Sequence, residues 1–245
     1  MSYDPKAFWE QRLGEHFDLV GTGETGLSLG YNQACYRLRA EQLERAIAGA
    51  QIKLAGCRVL DVGCGTGFFT DFYLRHGATL TGLDITTASV DRLQQQFPQC
   101  RFILGDVSDT PIEETFDLIN AFDVLYHITD PQRWTEAVRN LAAAVAPGGA
   151  FVFTDVFNAG AAEASHNVAR PLSGYLELLK AQGLEVRVVK PTHVLLNRHL
   201  GPFRFLNRAP GLLYAFDRAI LSMGLSWARD TNLILLAQRP AAPGR

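Results

Sequence analysis

Val59-Leu60-Asp61-Val62-Gly63-Cys64-Gly65-Thr66-Gly67-Phe68-Phe69-Thr70 decides how the chain is read. An apolar run with one acid set in it precedes glycines at every second position and then helix-compatible residues. The stretch reads as a buried strand, a tight turn and the start of a helix. Side chains in such a turn would block the approach of a ligand to the backbone, and some of its positions need a φ angle that glycine takes most cheaply. Backbone N–H groups and the positive end of a helix dipole face outward there, which suits a nucleotide or a carboxylate.

The dinucleotide fingerprint G-x-G-x-x-G would put glycine at position 68, where Phe68 stands, so a nicotinamide oxidoreductase is disfavoured. Strands and helices alternate from this point. Phe68 to His76 reads as a helix stopped by Gly77, and Thr79 to Ile85 as a second strand whose Asp84 lies 19 residues beyond Gly65, close to the spacing at which an acid reaches a ribose hydroxyl pair. Another helix closes at Pro98, Arg101 to Val107 forms a third strand with Asp106 in its exit loop, and Phe116 to Ile128 a fourth strand with its loop. Pro131 opens a helix that carries Trp134, Val138, Leu141 and Val145 on one face, and Pro147-Gly148-Gly149 turns it into a fifth strand, Ala150 to Thr154. Leu172 to Gln182 reads as a helix, and Leu184 to Val189 and Thr231 to Ala237 as the last two strands. Five alternations predict a mostly parallel sheet with right-handed crossovers and ligands at the carboxyl ends of its strands.

D-x-G-x-G-x-G after a strand resembles motif I of the class I, Rossmann-like methyltransferases of small molecules that use S-adenosylmethionine (SAM). The resemblance implies that the turn of Asp61, Gly63, Cys64, Gly65 and Gly67 passes under the methionine and ribose parts of the cofactor, with Asp61 helping to hold the amino group. It implies that Asp84, followed by Ile85, binds the ribose, that Asp106-Val107 receives the adenine, and that the loop after the fourth strand faces the transferred methyl group. Asp123 in that loop would support the sulfonium end, and Tyr31 resembles an aromatic residue that such enzymes lay near the cofactor. Ala146-Pro147-Gly148-Gly149 is similar to the family's turn before the fifth strand. The implied fold is a doubly wound, mostly parallel seven-stranded sheet with helices on both faces and a final antiparallel pair.

Around this sheet the sequence divides into an N-terminal helical lid region (1–50), a SAM-binding domain (51–239) and a disordered tail (240–245). Val20 to Leu27, glycine-rich, reads as a surface loop or a lid hinge. An insertion at 195–229 carries Arg198, His199, Arg204 and Arg208 among aromatic residues, then an apolar helical stripe; it reads as core packing, a homodimer contact, a substrate cap or a basic face for an anionic membrane surface. Residues 190–245 hold eight Arg or Lys against two Asp, a net of +6 that leaves −8 on the rest of the chain. With a total of −2, a general nucleic-acid binder is disfavoured. No stretch is long and apolar enough for a membrane span, and no secretory h-region is seen, so a cytoplasmic protein is expected. Cys35, Cys57, Cys64 and Cys100 show no metal spacing and read as reduced.

Methyl transfer to a hydroxyl needs in-line alignment and removal of a proton. His127 is the candidate base, because imidazole titrates near neutral pH and the position follows the fourth strand; a satisfied structural histidine is the competing reading. Asp123 and Tyr126 are the alternatives in the same loop, and His166, His193 and His199 lie further off in sequence. Asp123, Asp155 and Asn158 carry oxygens for a hard cation, but Val156 and Phe157 separate the acid from the amide, so no metal is expected. The expected function is O-methylation of a small molecule, with acidic or amphipathic acceptors compatible with the arginine-rich insertion. N- or C-methylation on the same fold, and a SAM-binding protein without turnover, are the alternatives.

Overall fold

The computed structural model describes residues 3–157, 166–197, 200–225 and 232–241. Its core is one seven-stranded sheet, made of β1 Arg58–Val62, β2 Thr79–Asp84, β3 Arg101–Leu104, β4 Phe116–Ala121, β5 Val145–Asp155, β6 Glu185–Pro191 and β7 Leu233–Gln238, in the order β3-β2-β1-β4-β5-β7-β6. The first five strands pair in parallel, and β7 runs antiparallel between β5 and β6. The sheet is the doubly wound one expected from the alternation, including the final antiparallel pair. Strand order reverses between β1 and β4, where Asp61 and Asn120 lie in register, and a ligand crevice opens at such a point.

The helices are α1 Pro5–Glu15, α2 Leu29–Gly49, α3 Phe68–Arg75, α4 Thr87–Gln96, α5 Pro131–Ala143, α6 Leu172–Ala181 and α7 Pro210–Ser222. Local chemistry fixes several starts. Asp4, Ser28, Thr86 and Asp130 each accept a hydrogen bond from a first-turn N–H, and Pro5 and Pro131 occupy positions where a missing N–H costs nothing. Alternation along β1 sends Val59 into a core with Tyr36, Leu43, Phe69 and Tyr73 on one face, and Leu60 and Val62 into a core with Leu141, Phe151, Tyr175 and Leu179 on the other.

The structure adds to the sequence reading at three places. The fifth strand begins at Val145 and includes Pro147-Gly148-Gly149, because Gly149 lies against β4 so closely that a Cβ would sit 2.8 Å from the Asp117 carbonyl, where the register shifts between Phe116 and Leu118. Pro240, expected in a disordered tail, accepts from the Gly148 N–H at 3.2 Å; residues 242–245 lie outside the described part. The loop at 20–27 is pinned: the Arg12 guanidinium donates to the carbonyls of Gly21 and Gly23, and Asn32 both accepts from the Glu24 N–H and donates to its carbonyl.

The insertion packs on α2. Leu213 and Leu196 join Tyr31, Ala34 and Leu38 in a small third core. Buried Asp217 accepts from the N–H groups of Val194, Leu195 and Leu196 at 3.2, 2.7 and 2.8 Å, which ties α7 to the chain leaving β6. Arg198, His199 and residues 226–229 of the insertion, like Asn158, lie outside the described residues. Among the described residues no helix is long and apolar enough to cross a membrane.

Candidate functional site

A cavity of about 720 Å³ opens at the carboxyl ends of β1 to β4 and is covered by α1. Asp61, Gly63, Cys64, Gly65, Asp84, Ile85, Asp106, Val107, Asp123 and His127, all proposed from the sequence, line it.

Asp61, the penultimate residue of β1, is fully buried. Its carboxylate accepts from Asn120 Nδ2 at 2.7 Å and from Thr70 Oγ1 at 2.9 Å, while burial raises its pKa to about 6. Asn120 Oδ1, also buried, has no hydrogen-bond partner among the described residues. Two acceptors, one of them unsatisfied, therefore meet at the switch point, and an incoming cationic N–H donor would satisfy both.

The glycine turn is held from below. Gly65 N–H donates to Asp84 Oδ2 at 2.8 Å, and Asp84 Oδ1 accepts from the Thr86 N–H and hydroxyl at 2.9 and 2.7 Å. Asp84 thus organises the turn as well as facing the cavity, and burial raises its pKa. Gly65 has φ +52°, and a Cβ there would meet Thr22 Cγ2 at 2.9 Å, so the 20–27 loop closes directly on the turn. Gly67 does not line the cavity. It opens α3 at φ +82°, and a Cβ there would strike Leu93 at 2.6 Å, so this glycine serves the packing of α3 against α4.

Asp106 accepts from the Ser108 N–H at 2.8 Å through one oxygen, and its other oxygen lies 3.0 Å from the Arg133 guanidinium. Asp123 has φ +59°, a strained value for an acid, and four contacts from three residues hold it there. Its N–H donates to Thr154 Oγ1 at 2.9 Å; Thr154 Oγ1 and Asn232 Nδ2 donate to its Oδ1 at 3.0 and 2.6 Å; Arg39 pairs with its Oδ2 at 2.7 Å. Both oxygens of this carboxylate are therefore engaged by side chains of the fold.

His127 closes a 3-10 turn, Leu125–His127. Its Nδ1 lies 2.9 Å from the His166 carbonyl, which can only accept, so Nδ1 carries the hydrogen and Nε2 the lone pair. Burial pushes its pKa down to about 4, and the Trp9 ring stands edge-on at 4.9 Å. At neutral pH this is a neutral imidazole of fixed tautomer on the cavity wall.

Helix α1 is latched onto the same end of the sheet. Glu10 of α1 accepts from the Thr87 and Ala88 N–H groups at 2.8 and 2.9 Å at the start of α4, which sets Trp9 and Leu13 over the crevice. Tyr36 of α2 also lines it, whereas Tyr31, five residues earlier, is buried against the insertion and does not reach the cavity. Tyr126 is absent from the wall as well; burial raises its phenol, and Asp123 adds to the shift. Half-buried His193 lies near Arg39 and Asp123, with its pKa pushed down to about 3 chiefly by desolvation. Trp9, Tyr36, Asn120 and Arg133 were missed in the sequence, and only Asn120, a polar residue inside the apolar strand Phe116–Ala121, carried a readable signal.

The family described as "Methyltransferase domain" matches residues 59–149, the stretch that runs from β1 into β5 and carries Asp61, Asp84, Asp106 and Asp123. This stretch is similar to a methyltransferase domain, and the sheet it belongs to has the order β3-β2-β1-β4-β5-β7-β6. Over 111 residues, 43% of the chain and 46% of the relative, the chain is 35% identical to the ubiquinone biosynthesis O-methyltransferase of Coxiella burnetii. It spans less than half the length of the curated relatives it matches. The fold is shared with the N-methyltransferase NodS of Bradyrhizobium japonicum WM9 in complex with S-adenosyl-l-homocysteine, at a TM-score of 0.60 and 21% identity, covering 83% of this chain and 87% of that one. The magnesium protoporphyrin IX methyltransferase of Synechocystis PCC 6803 with bound SAM has a TM-score of 0.64 and 16% identity, covering 97% and 98%. Within the matched stretch, the candidate site takes in every strand end from β1 to β4. Among the described residues no group of three or more His, Cys, Asp or Glu side chains could hold a metal ion.

Proposed function

We propose that this chain is a SAM-dependent methyltransferase of a small molecule, with oxygen as the acceptor atom and His127 as the general base. The observation that carries the reading is that three strand-end acids, Asp61, Asp84 and Asp106, share one cavity with a neutral, oriented imidazole. The residues fit the cofactor: Asp61 and the unsatisfied Asn120 Oδ1 would receive its ammonium, Asp84 its ribose hydroxyls, and Asp106 with the Val107 backbone its adenine. When bound, SAM supplies an activated methyl group on a sulfonium.

The chain supplies position, exclusion of water and a proton acceptor. Glu10 and Arg12 hold α1 and the 20–27 loop as a roof over the crevice. The Arg39–Asp123 pair fixes the loop after β4, and so places His127, four residues on. The His166 carbonyl keeps the lone pair on Nε2, the atom that takes the acceptor's hydroxyl proton. Lys6 on the wall favours an acceptor with an acidic group, whereas Arg133 is already paired with Asp106 and Asp109.

A second reading, N-methylation, draws support from His127 itself. An imidazole pushed down to about 4 is a weak base, and a neutral amine needs no prior deprotonation to attack. Transfer of labelled methyl from SAM to a panel of phenols, hydroxyacids and amines separates the readings. The first expects product from phenols or hydroxyacids and its loss in His127→Ala. Product from amines alone, with His127→Ala fully active, establishes the second. No product from any acceptor, with SAM bound, would leave a SAM-binding protein without turnover.

A further inference from the structure

We infer that the face of the insertion turned away from α2 is a docking surface for an anionic lipid bilayer. The inference does not depend on the reaction proposed above. It rests on an apolar face that the described residues leave exposed and a charge pattern that selects its partner.

Helix α7 is apolar on two sides. Leu213 and Ile220, with the pinned Asp217, turn inward, whereas Leu212, Phe216 and Met223 turn outward and are 52%, 53% and 64% exposed. A helix apolar all round is a buried helix or one awaiting a partner. The preceding 3-10 segment, Gly201–Arg208, adds Phe203 and Phe205, each 60% exposed, with their rings 6.5 Å apart. Arg204 lies between these aromatics and Arg208 ends the segment. In residues 200–225 the only acid is Asp217, which is buried and occupied by three backbone N–H groups, and among the described residues no acid from elsewhere in the chain pairs with Arg204 or Arg208. Arg218 is paired with Glu41 at 2.9 Å, and Tyr214 donates to the same acid.

That pattern argues against a second copy as the occupant. A two-fold contact would set Arg204 and Arg208 of one chain near those of the other with no acid between them. Anionic headgroups supply the missing charge, while Phe203, Phe205 and Phe216 enter the boundary between headgroups and acyl chains. No described helix can span a bilayer, so contact is peripheral. Helix α2 carries the insertion on one face and Tyr36 of the cavity on another, which keeps the catalytic crevice clear of the lipid contact.

Co-sedimentation of the full chain with vesicles tests this. The wild type is expected to bind vesicles rich in phosphatidylglycerol, to bind phosphatidylcholine vesicles far less, and to be released by salt. Two independent variants, Arg204→Glu with Arg208→Glu, and Phe203→Ser with Phe216→Ser, are each expected to lower partitioning by roughly tenfold or more. These side chains are exposed and outside the cavity, so circular dichroism and SAM affinity are expected to be unchanged, and either variant alone decides if the other fails to fold. Equal binding to both vesicle types, or wild-type binding by a folded variant, would overturn the inference. So would a sedimentation-equilibrium dimer that Phe203→Ser with Phe216→Ser converts to monomer, since the face would then belong to a second copy.

Discussion

Arg39 and Asp123 meet at 2.7 Å with both side chains largely buried, and through this pair the N-terminal helix α2 grips the loop that leaves β4. The acid adopts φ +59° there, so the pair holds a strained backbone as well as a charge. Arg39→Gln would leave a buried carboxylate without its cation and is expected to lower unfolding stability by about 3–5 kcal/mol. Combining it with Asp123→Asn, a residue that tolerates positive φ, should recover much of the loss. Urea unfolding of the two single variants and the double variant measures the coupling, and additive effects would contradict it.

Thr22 lies over Gly65 with no room for a methyl group. Gly65→Ala is therefore expected to weaken SAM binding by displacing the 20–27 loop and by straining a residue at φ +52°. Adding Thr22→Ala removes the collision but leaves the strain, so affinity should return in part. Titration calorimetry of both variants checks this; no rescue would mean that the backbone strain alone is at fault.

Burial raises Asp61 to about 6, and the ammonium of SAM would be received by its ionised form. SAM affinity should then fall as pH drops through 6, by roughly tenfold between pH 7 and pH 5, because protons compete with the ligand for the carboxylate. In Asp61→Asn the affinity should be lower and nearly flat across this range. An equal slope in both proteins would place the titration elsewhere.

His127→Ala should lower methyl transfer by about 10²–10⁴-fold with little change in SAM affinity. Because burial pushes the imidazole down to about 4, the wild-type kcat at saturating SAM should hold down to about pH 5 and fall only below it, as the cation can accept no proton. A fall centred near 6.5 would show an exposed imidazole instead.

Asp155 is buried, accepts from the Tyr175 hydroxyl, and is raised by burial to about 7. A carboxyl whose folded pKa is raised stabilises the fold fully below its unfolded pKa and loses that contribution as pH climbs through 7. The stability of the wild type relative to Asp155→Asn should therefore decline by about 2–4 kcal/mol between pH 4 and pH 8. Denaturant midpoints at both pH values give the difference, and a pH-independent gap would contradict it.

The sheet and three of the site acids were legible because each feature is local: Asp61, Asp84 and Asp106 directly follow or end apolar strand runs, and the topology brings strand ends together without further instruction. Residues contributed by the N-terminal helices were not. Tyr31 and Tyr36 sit on one helix, and which of them faces the cavity depends on how the insertion packs against α2, a contact distant in sequence. Trp9 reaches His127 only because Glu10 docks on α4. The His166 carbonyl that sets the tautomer of His127 is a backbone group, so no side-chain pattern could announce it.

The central claim is that the crevice under α1 receives SAM. Isothermal titration of the folded chain with SAM and with its demethylated product is predicted to show saturable binding of both at one site, weakened by about 1–3 kcal/mol in Asp84→Ala and abolished in Gly65→Val. No binding of either compound by folded wild-type chain, or wild-type affinity in both variants, would contradict it.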